Sequence, residues 1–262
     1  MVSLLVRQLA ASTKTAHNLG ALDRSPRYKN SDGDMKKISL REDAEKALKM
    51  YERLEPYGIQ EKLLQTLVKE YSDHTNRAAV DTKVKLLNLF YSTGIQAVSK
   101  MTDNIVGIKD IDARLKQGDL TLVPEIATLK LQGGERFNYS FATKYCALHQ
   151  PEKFPIYDSI VADTFVSLFV KGYFPKYTYS RSKSKSPGTF TKVEFAAKLK
   201  EYDFFVEFYL YFMELFDLTN LKVREIDSYI WGAFKIAGGD FEIEKLAQLD
   251  KSKITEVNID IK

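Results

Sequence analysis

Residues 139–158 read YSFATKYCALHQPEKFPIYD, and SIVADTFVSLFV follows directly at 159–170. The first half is an apolar helical pattern, the middle is bracketed by Pro151 and Pro155, and an aspartate then precedes a second apolar helical pattern. Pro155 fixes its own φ and pushes Phe154 toward an extended conformation, so the chain should reach Asp158 along a stiff, non-helical path. Asp158 is placed at a helix N-cap, where Asp is among the best residues. A carboxylate at that position is also suited to facing a developing positive charge, and the two roles can coexist.

Working outward, helical periodicity dominates after residue 38. Ser39 and Glu42 have capping-box spacing and open a helix running to about Leu54, before Glu55-Pro56. Further helices are predicted over about 58–72, 77–91 and 95–106, the third carrying Val80, Val84, Leu87 and Tyr91 at three- and four-residue spacing. DIDARLKQGDLTLVPEIATL at 110–129 reads as two short helices separated by Gly118-Asp119, and Gly133-Gly134 as a sharp turn. Two long helices are expected over roughly 193–217 and 222–237. With no internal repeat and no run of strands, the class is all-α.

The ends are sparser. Residues 1–22 hold Arg7 and Lys14 and no acid, a loose transit-peptide pattern, but Leu4, Leu5 and Leu9 share a face and favour an amphipathic starting helix. The tail from Asp240 is acidic, with Val257, Ile259 and Ile261 alternating, so it is frayed or a small added strand. The domain reading is an extension over 1–38, a helical domain over 39–250, and a tail over 251–262.

The chain has 262 residues, 44% hydrophobic and 28% charged, which fits neither a disordered nor a membrane protein. Cys146 is the sole cysteine, so there is no disulfide framework and no thiolate cage. A reducing, cytoplasmic setting is expected, with Cys146 a small buried hydrophobe. His17, His74 and His149 lack metal-ligand spacing, and no metal or other cofactor is expected. Net charge is only +4, but residues 171–192, KGYFPKYTYSRSKSKSPGTFTK, hold six Lys/Arg and no acid. Lys176, Arg181, Lys183, Lys185 and Lys192 are either a phosphate-attracting patch or a solvated loop. Tyr173, Phe174, Tyr177 and Tyr179 interleave with them, to stack on nucleic acid or to anchor the loop.

The order helix, turn, helix, Pro-containing connection, Asp, helix resembles the helix-hairpin-helix DNA glycosylase superfamily, whose P-V-D-x-x-V motif is similar to PIYDSIV at 155–161. LFYSTGIQAVSKMTDNI at 89–105 looks like its earlier L-L-S-x-Q-x-x-D segment. Bacterial proteins of the 8-oxoguanine glycosylase fold are closest, through FATK at 141–144, PIYDSIV and DSYIW at 227–231. The resemblance covers about residues 80–235. It implies a two-lobed helical fold, with one lobe near 80–160 and the other from 39–79 plus 193–237. The hairpin is degenerate, since L-P-G-V-G is replaced by LQGGERF at 131–137, and Lys144 lies 14 residues before Asp158 where bifunctional members have 18 to 19.

The activity implied is excision of a damaged or modified base flipped out of double-stranded DNA, an oxidised purine or a modified cytosine of viral DNA. Asp158 would stabilise the oxocarbenium-like sugar, and Lys144 would be either a Schiff-base nucleophile or a surface lysine. Phe141, Tyr145 and Tyr157 would wall the base pocket, with at least one of them in the core instead, and Trp231 would pack behind. The alternatives are a catalytically silent DNA-binding module and a helical scaffold for protein partners.

Overall fold

The computed structural model describes residues 27–29, 35–37, 39–51, 57–184 and 186–236. The expected starting helix at Leu4, Leu5 and Leu9, the tail 251–262 and Lys185 lie outside them. A short antiparallel pair, β1 (Arg27–Lys29) and β2 (Met35–Lys37), comes first, within the segment read as an extension. The rest is mostly helical: α1 (Arg41–Tyr51), α2 (Tyr57–Glu70), α3 (Arg77–Tyr91), α4 (Val98–Val106), α5 (Ile111–Gln117) and α6 (Leu122–Ala127). After β3 (Thr128–Leu131) and β4 (Gly134–Phe137) come α7 (Tyr139–His149) and α8 (Ser159–Val170). The pair β5 (Thr178–Tyr179) and β6 (Thr189–Phe190) then leads to α9 (Lys192–Lys198), α10 (Tyr202–Leu215) and α11 (Val223–Ile236). No helix among the described residues is long and apolar enough to cross a membrane.

Local chemistry explains several boundaries. Asn76 caps α3 by accepting a hydrogen bond from the Ala79 amide at 3.1 Å, and α3 ends at Ser92 in the left-handed region, two residues before Gly94. The capping box expected at Ser39 and Glu42 is not what opens α1. The Ser39 hydroxyl donates to Asp217 instead, and Arg41 forms a 2.7 Å ion pair with the same carboxylate. Asp217 has φ +60°, a strained value for a non-glycine, so these contacts hold the turn after α10 while seating α1 on the C-terminal helices. A reciprocal capping box does occur at Thr191 and Glu194, at the start of α9.

Two further expectations are corrected. The helix predicted over 193–217 is two helices, α9 and α10, and three-residue hydrogen bonds from Lys200 to Ala197 and from Glu201 to Lys198 make the break. No Gly or Pro marks it; aromatic packing does. Phe195 stacks on Phe169 of α8 with ring centroids 4.0 Å apart, while Phe208 meets Phe165 at 5.0 Å and Phe174 at 4.5 Å. The turn at Gly133-Gly134 belongs to a β-hairpin, with Leu131 paired to Gly134, so α6 and α7 are separated by two strands.

One apolar cluster runs from Leu40 to Ala233 and includes residues of both expected lobes. Helix α1 packs on α11, whereas α2 packs on α3 and α7. A polar cluster inside surrounds His74. Its Nδ1 pairs with Asp112 at 2.6 Å, its Nε2 with the Tyr145 hydroxyl at 2.9 Å, and its ring lies 4.8 Å from that of His149. Burial holds both imidazoles below the usual histidine range.

Phe165 is fully enclosed and touches Phe205, Phe208, Tyr209 and Phe212 of α10. Phe165→Ala is expected to cost about 3 to 5 kcal/mol, seen as a lower urea midpoint at unchanged slope. A loss under about 1 kcal/mol would mean that α8 does not depend on this aromatic layer.

Candidate active site

The connection from Phe154 to Asp158 has no secondary-structure partner, yet three helices hold it. Phe154 and Pro155 are buried, and the Tyr202 hydroxyl of α10 donates to the Pro155 carbonyl at 3.0 Å. The Ile156 amide donates to Asp227 of α11 at 3.3 Å. From α7, the Thr143 hydroxyl oxygen lies 3.1 Å from the Tyr157 amide, which donates to it, and 3.2 Å from the Tyr157 carbonyl. Asp158 is therefore delivered in extended conformation and caps α8, its Oδ1 accepting from the Val161 amide at 2.9 Å. The cap uses Oδ1, and Oδ2 is the oxygen nearer Lys144.

Lys144 leaves α7 one turn after Ser140, whose hydroxyl takes a hydrogen bond from its Nζ at 2.7 Å. The ammonium lies 3.6 Å from Asp158 Oδ2 and 5.8 Å from the centre of the Tyr91 ring. Its side chain is only 7% exposed. Burial lowers its pKa from the usual lysine value, with the Asp158 charge opposing that shift.

Both residues face a cavity of about 530 Å³, lined also by Tyr91, Ile156, Arg224, Asp227 and Trp231. A second hollow of about 280 Å³ shares Glu61, Tyr91, Lys144, Ile156 and Arg224 with it. Arg224 and Glu61 form a 2.7 Å ion pair, and the Tyr91 hydroxyl donates to Glu61 at 2.8 Å. Despite its burial, Arg224 is held above the usual range by Tyr91 and Glu61. Asp227 is buried, and that burial pushes its carboxyl up to about 7 against the pull of Arg224 and of the Tyr209 hydroxyl.

The cavity thus unites Asp158 and Lys144 but not the three aromatic residues assigned to its walls. Phe141 and Tyr145 are core residues, 1% and 0% exposed, stacked on each other with Tyr145 tied to His74. Tyr157 is half-buried and points between Tyr139 and Phe205. Helix periodicity explains the error: Phe141 and Tyr145, four apart, share a face of α7 turned by about 100° from that of Ser140 and Lys144. The aromatic lining comes instead from Phe90, Tyr91 and Trp231, the last taken from sequence only as backing.

The basic loop is elsewhere. Among its described cations, Arg181, Lys183 and Lys192 are exposed and Lys176 pairs with Glu207 beneath the Tyr177 and Tyr211 rings; none lines the cavity. Phe174 and Tyr177 are buried and Tyr179 packs edge-on to Phe169, so they anchor the loop and do not form a stacking surface. Cys146 is enclosed, and burial pushes its thiol up.

The low proton affinity of Lys144 is open to direct measurement. In a pH series with an amine-reactive acylating reagent read by peptide mass spectrometry, Lys144 is expected to label at lower pH than the lysine of an unstructured peptide. Asp158→Asn removes the carboxylate that favours the charged amine, so the Lys144 midpoint should fall further. A Lys144 midpoint equal to that of the peptide lysine would contradict a desolvated amine.

Comparison with known proteins supplies a relative and no activity. The family model HI_0787_N, described as an N-terminal domain, matches residues 43–153. A Haemophilus influenzae protein, itself described as uncharacterized, is 37% identical over 160 residues, which cover 61% of this chain and 68% of the relative. No solved structure matches. At that identity and that coverage of the relative, the chain belongs to the family of this Haemophilus influenzae protein.

Proposed function

We propose that the protein is a DNA N-glycosylase that takes a flipped-out damaged or modified base into the cavity bounded by α2, α3, α7, α8 and α11. One observation carries this reading. A desolvated lysine lies 3.6 Å from a carboxylate at a helix start, inside a cavity of about 530 Å³, with the residue order already seen to resemble the glycosylases. That volume falls within the range of ligand pockets, roughly 300 to 1,000 Å³, and the polar groups converge on one side. Asp158 would face the positive charge that builds on the sugar as the N-glycosidic bond lengthens. Lys144, if deprotonated, is positioned to add to the sugar carbon, because burial favours its neutral amine. Phe90, Tyr91 and Trp231 supply apolar faces against which an extruded base can stack.

A silent DNA-binding module is the second reading, favoured by the β-hairpin at 128–137 where the glycosylases have a tight turn between helices. The deciding experiment is incubation with genomic DNA from varied sources, including phage DNA with modified bases, followed by mass spectrometry of released bases. Base release supports the enzyme; binding without release supports the module; neither leaves a helical scaffold.

On a proven substrate, Asp158→Asn is expected to keep the fold, since Asn is also a good N-cap, and to lower release by at least about 10²-fold. Activity within a few-fold of the parent would remove Asp158 from the chemistry. Borohydride should trap a protein–DNA adduct that Lys144→Gln abolishes. Release without any adduct would assign attack to water.

Arg181, Lys183 and Lys185 test the basic loop. Replacing all three with Ser should weaken DNA binding at low salt and reduce the slope of log affinity against log salt by about two to three. An unchanged slope would leave the loop merely solvated.

A further inference from the structure

The cavity holds a second carboxyl for which the lysine–aspartate pair has no use. Asp227 projects from α11 into the wall shared with Lys144 and Asp158, and is 5% exposed. We propose that Asp227 is the acid that hands a proton to the departing base; this rests on the glycosylase reading and adds to it the class of base that can leave.

The two carboxyls are held differently. Asp158 faces the Lys144 ammonium and takes a helix amide, both of which are donors. Among the described residues Asp227 makes no ion pair. Arg224, one turn earlier on α11, is committed to Glu61 and Tyr91, and Lys144 to Ser140 and Asp158. Asp227 Oδ1 takes the Tyr209 hydroxyl at 2.8 Å and Oδ2 takes the Ile156 amide at 3.3 Å. A proton on Oδ1 can be accepted by Tyr209, whose hydroxyl then donates to the Val223 carbonyl 3.2 Å away. Among the described residues Oδ2 has only the Ile156 amide, a donor, so a proton on Oδ2 is left to be offered to a group held in the cavity that Asp227 lines. The other groups bearing on this carboxyl are Asp158, which raises its proton affinity, Arg224, which lowers it, and the Lys144 ammonium, whose charge is favoured by the Asp227 carboxylate and so opposes its protonation; the buried Tyr202 of α10 feels the Asp227 charge in turn.

In the proposed step the bond between the sugar C1′ and the base nitrogen breaks, and both electrons leave with the base. The Asp227 proton passes to a basic nitrogen of that base, which departs neutral. Water or the neutral Lys144 amine bonds to C1′, and the proton it sheds passes to Asp158 and then to solvent. Asp227, left as carboxylate, is reprotonated from solvent before the next turnover. The base so served is one that needs a proton to leave, a purine or an amino-bearing pyrimidine. A uracil-like base, stable as a departing anion, gains little from such an acid.

The test is the single-turnover rate of base release from pH 5 to 9 for the parent, Asp227→Asn and Tyr209→Phe. The parent should show a limb that falls about tenfold per pH unit above about 7. Asp227→Asn should lose that limb and be slower at pH 6 by about 10²-fold or more. Tyr209→Phe should move the limb to higher pH, because it removes a hydrogen bond that favours the carboxylate. A limb unchanged in both variants, or Asp227→Asn within a few-fold at pH 6, overturns the proposal while leaving base excision intact. Should Asp227→Asn fail to fold by circular dichroism, the Tyr209→Phe shift alone decides. A parent that releases no base at any pH overturns the glycosylase reading, and the acid with it.

Discussion

Five residues without a ladder or a helix, Phe154 to Asp158, set the geometry of the whole site. Their backbone groups need partners as any buried backbone does, and side chains provide them: Tyr202 for Pro155, Asp227 for Ile156, and Thr143 for Tyr157. Each anchor comes from a different helix, α10, α11 and α7 in turn. Shifting any one of those helices would therefore move Asp158 relative to Lys144. Packing of the aromatic layer and placement of the carboxylate are in this sense one constraint.

Around that connection the protein arranges charge economically. Glu61 and Arg224 neutralise each other in the cavity wall, Lys144 stands against Asp158, and Asp227 makes no ion pair among the described residues. Low local dielectric makes each pairing matter more than it would in water, and makes the unpaired carboxyl reluctant to ionise. The same burial acts with opposite sign on the lysine, which it drives toward the neutral amine. One physical cause, exclusion of water, thus shifts the lysine and the Asp227 carboxyl alike toward their neutral forms.

Much of this was legible in local pattern. Helix α3 follows its apolar spacing, and Asp158 could be placed at an N-cap from Pro155, three residues earlier, and the apolar run behind it. Lys144 and Asp158 lie 14 residues apart, close enough for one motif to hold both. The rest of the site had no local signal. Glu61 and Arg224 are 163 residues apart, and each reads alone as an ordinary surface charge on an amphipathic helix. The aromatic residues were misassigned because periodicity shows which residues share a face of α7 but not whether that face meets the core or the cavity. The β-hairpin escaped because LQGGERF gives the same turn signal whether helices or strands flank it.

The Glu61–Arg224 pair and the Arg41–Asp217 pair close spans of 163 and 176 residues. Contacts that remote in sequence close long loops, whose entropic cost must be met before the contact contributes. During synthesis the wall bearing Arg224, Asp227 and Trp231 is nearly the last of the described chain to emerge. Lys144 and Asp158 precede that wall in the chain, so the cavity around them is closed only once α11 is in place. The enclosure of the lysine, and the lowering of its proton affinity that goes with it, is therefore completed by the last described helix.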